Sequence, residues 1–178
     1  RLQEMFHVLE PRAAERRRPH GDRGDRHDGP ARRRGAGAGE PDGFAGAGHL
    51  TTFAETHLYA DDIVHAESTP YQRIVVTRWR DDLRLFLNNN LQFSSHDEYR
   101  YHEALVHPGL ASLPGAKRVL VLGGGDGLAV REVLKYPQVE QVTLVDLDPA
   151  MTELFSTAPA LVALNQGALK AERVRVVN

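Results

Sequence analysis

Val119-Leu-Val-Leu-Gly-Gly-Gly-Asp-Gly127 runs an apolar stretch directly into a glycine turn that carries a carboxylate. An apolar run of this length, closed by glycine, reads as a strand buried on both faces. The glycines let the backbone approach a ligand closely, and the helix that follows offers its unpaired N–H groups beside it. Arg118 to Leu122 is therefore predicted as a strand and Gly127 to Tyr136 as a helix. Gln141 to Val145 follows as a second strand, Pro149 opens a helix through Phe155, and Arg173 to Val177 reads as a third strand. Pro159, Asn165 and Gly167 break the stretch before it into short pieces. Strands alternating with helices imply a parallel, doubly wound α/β sheet. Three strands alone would leave such a sheet incomplete, with an exposed edge.

Upstream the texture differs. Ile63 to Glu67, Gln72 to Thr77 and Leu83 to Leu87 are short alternating or apolar runs, and Leu91-Gln-Phe93 resumes the strand after Asn88-Asn-Asn90. Neighbouring runs with turn formers between them predict a small antiparallel β domain over about 56–95, the asparagines tolerating positive φ at the connection. Ser95 or Asp97 can cap a helix through Glu98 to Val106 that stops near Pro108-Gly109. On it Tyr101 and Leu105 are four apart, as are Glu98 and His102, so an apolar and a polar stripe run side by side. The stretch 96–178 is then the first half of a nucleoside-binding α/β domain.

Residues 1–50 mix Arg16-Arg-Arg18 and Arg32-Arg-Arg34 with Gly, Ala, Pro and Asp, without a sustained apolar period, and are expected to be disordered. Interleaved acids nearly cancel those arginines, and the whole chain carries a formal charge of −2, so no nucleic-acid partner is expected. The chain has no cysteine, which removes disulfides and thiolate metal sites and fits a reducing, cytoplasmic setting; no metal site is read from the pattern. No apolar run is long enough to span a bilayer.

The chemistry concentrates at the glycine turn. Gly123, Gly125 and Gly127 shape it, and Asp146 ends the second strand twenty residues beyond Asp126, where a carboxylate can accept both hydroxyls of a ribose. Asp148, just before Pro149, reads as a helix cap. Leu128 and Ala129 break the dinucleotide spacing, and Asp126 would repel a diphosphate while attracting a cationic amine. That points away from a pyrophosphate cofactor and toward a sulfonium nucleoside such as S-adenosylmethionine or a relative.

Five motifs together resemble the polyamine aminopropyltransferases, the spermidine synthase family, bacterial type. They are Pro70-Tyr-Gln-Arg-Ile74, Leu91-Gln-Phe93, Asp97 through Pro108, Gly123 to Gly127 with Arg131-Glu-Val-Leu134, and Val145-Asp-Leu-Asp-Pro149. The resemblance covers about 58–178 and implies a methyltransferase-like, Rossmann-like fold. It also implies transfer of an aminopropyl group from decarboxylated S-adenosylmethionine, as cosubstrate with no prosthetic group, to putrescine or a similar diamine. Residue by residue, Asp126 matches the acid that holds the cationic arm, Asp146 the ribose acid, and Gln72 the lead-in glutamine that reaches the cosubstrate. Tyr101 and His102 match the helix pair lining the amine channel, and Gln92 is a further contact. Full-length members of the family are expected to form homodimers, and some carry a membrane-embedded region ahead of the catalytic domain, of which these residues show nothing.

The family's general base is an aspartate beyond the third strand, and Asn178 comes before it. The expectation is accordingly a C-terminally truncated chain, inactive as it stands, with no catalytic residue assigned within it. Two other readings stay open: a methyltransferase using ordinary S-adenosylmethionine, and a noncatalytic binding or dimerisation module.

Overall fold

A computed structural model describes the backbone of residues 5–9 and the whole of residues 59–178. The lead-in domain is an antiparallel meander of β2 (Asp62–Ser68), β3 (Arg73–Trp79), β4 (Asp82–Leu87) and β5 (Asn90–Ser94), each strand pairing with the next. Its turns are built as the residues dictate. Asn88 and Asn89 take φ of 49° and 64°, the left-handed pair that a two-residue hairpin requires and asparagine tolerates. Asp82, 2% exposed, ties the far end of the meander together, accepting from Ser94 and Ser95 at 2.7 and 3.1 Å and from Arg84 at 2.7 Å.

Helix α1 (Glu98–Ser112) leads into the α/β half: β6 (Arg118–Leu122), α2 (Leu128–Leu134), β7 (Gln141–Val145), α3 (Pro149–Thr157), α4 (Pro159–Leu164), a 3-10 turn at Ala168–Lys170, and β8 (Val174–Val177). Strands β6, β7 and β8 are parallel and in register, Leu122 beside Val145 and Val145 beside Val177. Their carboxyl ends therefore lie together, and the loops that follow them share one rim. Val119, Val121, Val142 and Leu144 point into one continuous core with Leu128, Val133, Phe155 and Leu161. Phe93 of the meander meets Phe155 of α3 edge to face at 6.1 Å, so both sheets contribute to that core.

Two expectations are corrected. The disorder expected of residues 1–50 does not hold at β1 (Met5–Leu9), which pairs antiparallel with β6, Leu9 beside Arg118 and Met5 beside Leu122. Met5-Phe-His-Val-Leu9 is a five-residue, largely apolar run too short to register as a period; the rest of that stretch lies outside the described residues. The sheet order is β1-β6-β7-β8, so β1 covers β6 while β8 stands at the opposite edge among the described residues. Second, α1 does not stop at Pro108 but continues to Ser112. Proline removes one backbone donor, yet Val106 and Leu110, both fully buried, clamp the helix to the core on either side of it. The face of α1 turned inward carries Glu98 and His102 in line with Val106 and Leu110, while Tyr101 is half exposed.

Candidate functional site

At the carboxyl end of β6 the chain turns through Gly123 and Gly124, with φ of 81° and 77°, and enters α2 at Gly127 with φ of 76°. Asp126 lies in this turn, 7% exposed, with one oxygen accepting from the Leu128 N–H at 2.8 Å. Its backbone carbonyl accepts from Asn165 Nδ2 at 2.9 Å, and Asn165 also bonds the Phe155 carbonyl and the Gly167 N–H. A wholly buried asparagine thus fixes the turn from a segment 39 residues away. Burial pushes the Asp126 carboxyl up from its ordinary range; His102 pulls the other way, and the charges of Asp146 and Glu98 add to the rise. Among the described residues no lysine or arginine pairs with it.

Asp146 follows β7 on the same rim. Its Oδ2 accepts from the Gly125 N–H at 2.8 Å and its Oδ1 from the Asp148 N–H at 2.9 Å. The contact explains the glycine: a Cβ on residue 125 would stand 2.8 Å from Asp146 Oδ2 and 3.0 Å from Met151 Cβ. Gly125→Ala is expected to displace the Asp146 carboxylate and destabilise the chain by about 1.5–3 kcal/mol, the scale of a hydrogen bond to a charged group. Thermal unfolding checks this, and an unchanged midpoint would show that Asp146 has room to move.

His102 of α1, 3% exposed, reaches Glu98 through Nδ1, at 2.7 Å to Oε2 and 2.9 Å to the backbone carbonyl. Through its charge His102 also acts on Asp126, favouring the ionised carboxylate there. Arg131 of α2 grips Glu98 with a two-pronged fork, 2.8 Å to Oε1 and 3.0 Å to Oε2, and turns its Nε to Glu132 at 2.8 Å. Burial alone would raise the Glu98 carboxyl, but hydrogen bonds from His102 and Arg131 outweigh it and hold the group below its usual range. Glu132, fully buried, is likewise lowered against the pull of burial by Lys135 and Arg131.

Of the residues singled out from sequence, Gly123, Gly125, Asp126 and Gly127 share the turn after β6, Asp146 is joined to it through the Gly125 N–H, and the charge of His102 acts on Asp126. Tyr101 stacks edge-on against His102 at 5.1 Å. Gln72 joins from the lead-in domain by way of Asp148, its Nε2 donating to Asp148 Oδ2 at 2.9 Å. Gln92 stands apart, exposed and donating to the Asn90 carbonyl of its own strand. Asp148 does cap α3, accepting from Ala150 N–H at 3.1 Å, but its second role and those of Asn165 and Thr69 escape sequence reasoning. Each depends on partners 39 to 79 residues distant, for which local spacing carries no signal. A candidate metal ligand set exists elsewhere: one atom each of Glu103, His107 and Glu132 lies within 4.8 Å of the others. The Lys135 ammonium pairs with both of its glutamates, so the protein's own cation already compensates that charge.

Comparison with known proteins finds relatives of this chain. The spermine/spermidine synthase domain matches residues 98–178. Polyamine aminopropyltransferase 2 of Ralstonia nicotianae is 70% identical over 136 residues, 76% of this chain and 27% of that protein. Polyamine aminopropyltransferase of Leptospira interrogans is 58% identical over the same length, again 27% of its own. The chain thus spans about a quarter of the curated relatives it matches. Among solved structures, a spermidine synthase in complex with the transition-state analogue AdoDATO superposes with a TM-score of 0.61 at 30% identity, covering 65% of this chain and 39% of that one. The spermidine synthase of Thermotoga maritima gives the same score and identity. No helix among the described residues is long and apolar enough to cross a membrane.

Proposed function

Since the chain belongs to the spermidine synthase/polyamine aminopropyltransferase family, we propose that it supplies the cosubstrate-binding half of an aminopropyl transfer from decarboxylated S-adenosylmethionine to putrescine or a similar diamine. The observation that carries the reading is Asp126, a buried carboxylate on the rim with no lysine or arginine paired to it among the described residues. Such a group is unfavourable until a cation arrives. The decarboxylated cosubstrate brings an ammonium, whereas ordinary S-adenosylmethionine brings a carboxylate with it and is disfavoured at the same place.

The other groups divide the remaining work. Asp146, oriented by the Gly125 and Asp148 N–H groups, accepts from the ribose hydroxyls. His102, fixed by Glu98, and Tyr101 beside it line the path of the acceptor amine, whose attacking nitrogen must be uncharged to carry a lone pair. Held in line with the sulfonium-bearing methylene, that nitrogen displaces methylthioadenosine and sheds a proton. Pairing of the full-length protein into a homodimer belongs to the same proposal.

Parallel calorimetric titrations of the chain with the decarboxylated and ordinary cosubstrates test the reading. The decarboxylated form is expected to bind about 10²-fold tighter, the lower end of what a buried charge contact contributes; equal or tighter binding of ordinary S-adenosylmethionine would favour a methyltransferase instead. The binding heat also carries a pH signature. In the free protein burial raises Asp126, with His102 opposing and Asp146 and Glu98 reinforcing. An arriving cation favours the ionised form, so binding releases a proton and tightens as pH rises through the raised value. Repeating the titration in buffers of different ionisation enthalpy reads that proton directly.

A further inference from the structure

Asp148 does more than start a helix. It is 2% exposed, and its two carboxylate oxygens serve different parts of the molecule. Oδ1 accepts from the Ala150 N–H and caps α3. Oδ2 accepts from Thr69 Oγ1 at 2.8 Å and Gln72 Nε2 at 2.9 Å, both in the turn between β2 and β3 of the lead-in domain. That turn is itself tight: Thr69 Oγ1 accepts from the Tyr71 and Gln72 N–H groups, and the Thr69 N–H donates to the Gln72 carbonyl. On its other side, the Asp148 N–H donates to Asp146 Oδ1. One side chain and its own amide thus join the lip of the lead-in sheet to the carboxylate at the end of β7.

The chemistry of the pair fixes an orientation. A glutamine amide has a donor end and an acceptor end of nearly equal shape, and its partners decide which way it faces. An ionised carboxylate only accepts, so Asp148 takes the NH2 end of Gln72 and leaves the carbonyl, Oε1, as the end the glutamine offers to anything beyond. We propose that Asp148 is a positioning residue of the nucleoside site, setting Gln72 as a hydrogen-bond acceptor so that it meets a donor on the nucleoside. This rests on the cosubstrate-binding reading above. It also separates Asp148 from Asp146: the first acts through Gln72, and the second contacts the ligand itself.

The two functions of Asp148 can be parted by substitution. Asparagine caps helices as well as aspartate does, so Asp148→Asn keeps the start of α3. It replaces the second acceptor by an NH2 group, however, and Gln72 must turn over to satisfy it, presenting a donor outward. Gln72→Glu alone sets two carboxylates against each other. In the crossed pair, Asp148→Asn with Gln72→Glu, the new asparagine donates to the new glutamate, whose other oxygen again faces outward as an acceptor.

Two measurements on the 178-residue chain decide the matter. Without ligand, the Gln72 side-chain NH2 resonances, identified by their absence in Gln72→Glu, should exchange with solvent about tenfold more slowly than in Asp148→Asn. With methylthioadenosine as the probe, each single variant should bind about tenfold more weakly than the parent, and the crossed pair should return to within about threefold of it. A merely structural role for Asp148 would give no such rescue. Equal NH2 exchange in the parent and Asp148→Asn would overturn the orientation, and a crossed pair as weak as the singles would overturn the positioning role. A protected Gln72 amide in a parent chain that binds neither methylthioadenosine nor decarboxylated S-adenosylmethionine would overturn the functional reading, and the ligand half of this proposal with it.

Discussion

Arg131→Leu is expected to destabilise the chain by about 3–5 kcal/mol, lowering its thermal midpoint by about 10 °C or more. The guanidinium makes four short contacts from a site 8% exposed: two to Glu98, one to Glu132 and one to the Leu164 carbonyl. Leucine fills much of the space but takes a hydrogen-bonded counter-charge from both carboxylates, 5% and 0% exposed, leaving His102 beside Glu98 and Lys135 beside Glu132. The pH dependence distinguishes this from lost packing. In the parent, Glu98 and Glu132 lie below their ordinary range, because the cationic partners outweigh burial. Their ionised forms therefore contribute stability that is complete above the ordinary glutamate value and is lost as pH falls through the depressed one. In the variant burial is less opposed, so the carboxyls rise, and the penalty grows as pH climbs from acid to neutral. The midpoint gap should be widest near neutrality and narrow toward acid, with Glu98→Gln in the Arg131→Leu background recovering part of it. Thermal unfolding at several pH values checks this; a gap independent of pH would show that the network matters only as packing.

Asp126→Asn should act in the opposite way on stability while abolishing the proposed cosubstrate preference. The amide is nearly isosteric, and its carbonyl oxygen can still accept from the Leu128 N–H. A carboxyl raised by burial binds more protons in the folded than in the unfolded chain. Its contribution to stability thus declines as pH rises from the ordinary aspartate value through the raised one, and asparagine removes that decline. The variant should melt no lower than the parent at neutral pH. Its affinity for decarboxylated S-adenosylmethionine should fall by about 10²-fold or more, the loss expected when one member of a buried charge pair is removed, and the margin over ordinary S-adenosylmethionine should close. The proton released on binding should vanish as well. Undiminished affinity in a folded Asp126→Asn chain would mean that another group holds the ammonium.

What can be read from the sequence follows the range over which each signal acts. The hairpins of the lead-in sheet, the β6-turn-α2 junction and the meeting of Asp126 with Asp146 on one rim are legible because each is set by local spacing: alternation, paired asparagines, or a glycine turn and the end of the next strand. Periodicity also assigns α1, but not its length or its inward face. Pro108 is an interruption by local rules, and the spacing of Glu98 and His102 marks a polar stripe without showing that Arg131 of α2 meets it. Met5–Leu9 escapes detection because a five-residue run has no period to reveal it and its partner lies more than a hundred residues on. Asn165 holding the carbonyl of Asp126, and Asp148 holding Gln72, are contacts between segments that no spacing connects.

The bond from Asp148 to Thr69 and Gln72 has a kinetic consequence as well. The meander on one side of it is made wholly of adjacent hairpins, whose loops are short and close quickly. The parallel strands on the other side need longer crossovers before any pair forms, and the bond itself spans 76 and 79 residues. Loop-closure entropy disfavours making a contact of that separation before the local hairpins are formed. It adds little to the speed of folding and acts mainly as a brake on coming apart. Topology thus makes this carboxylate the place where the half built from long crossovers is secured to the half built from short hairpins.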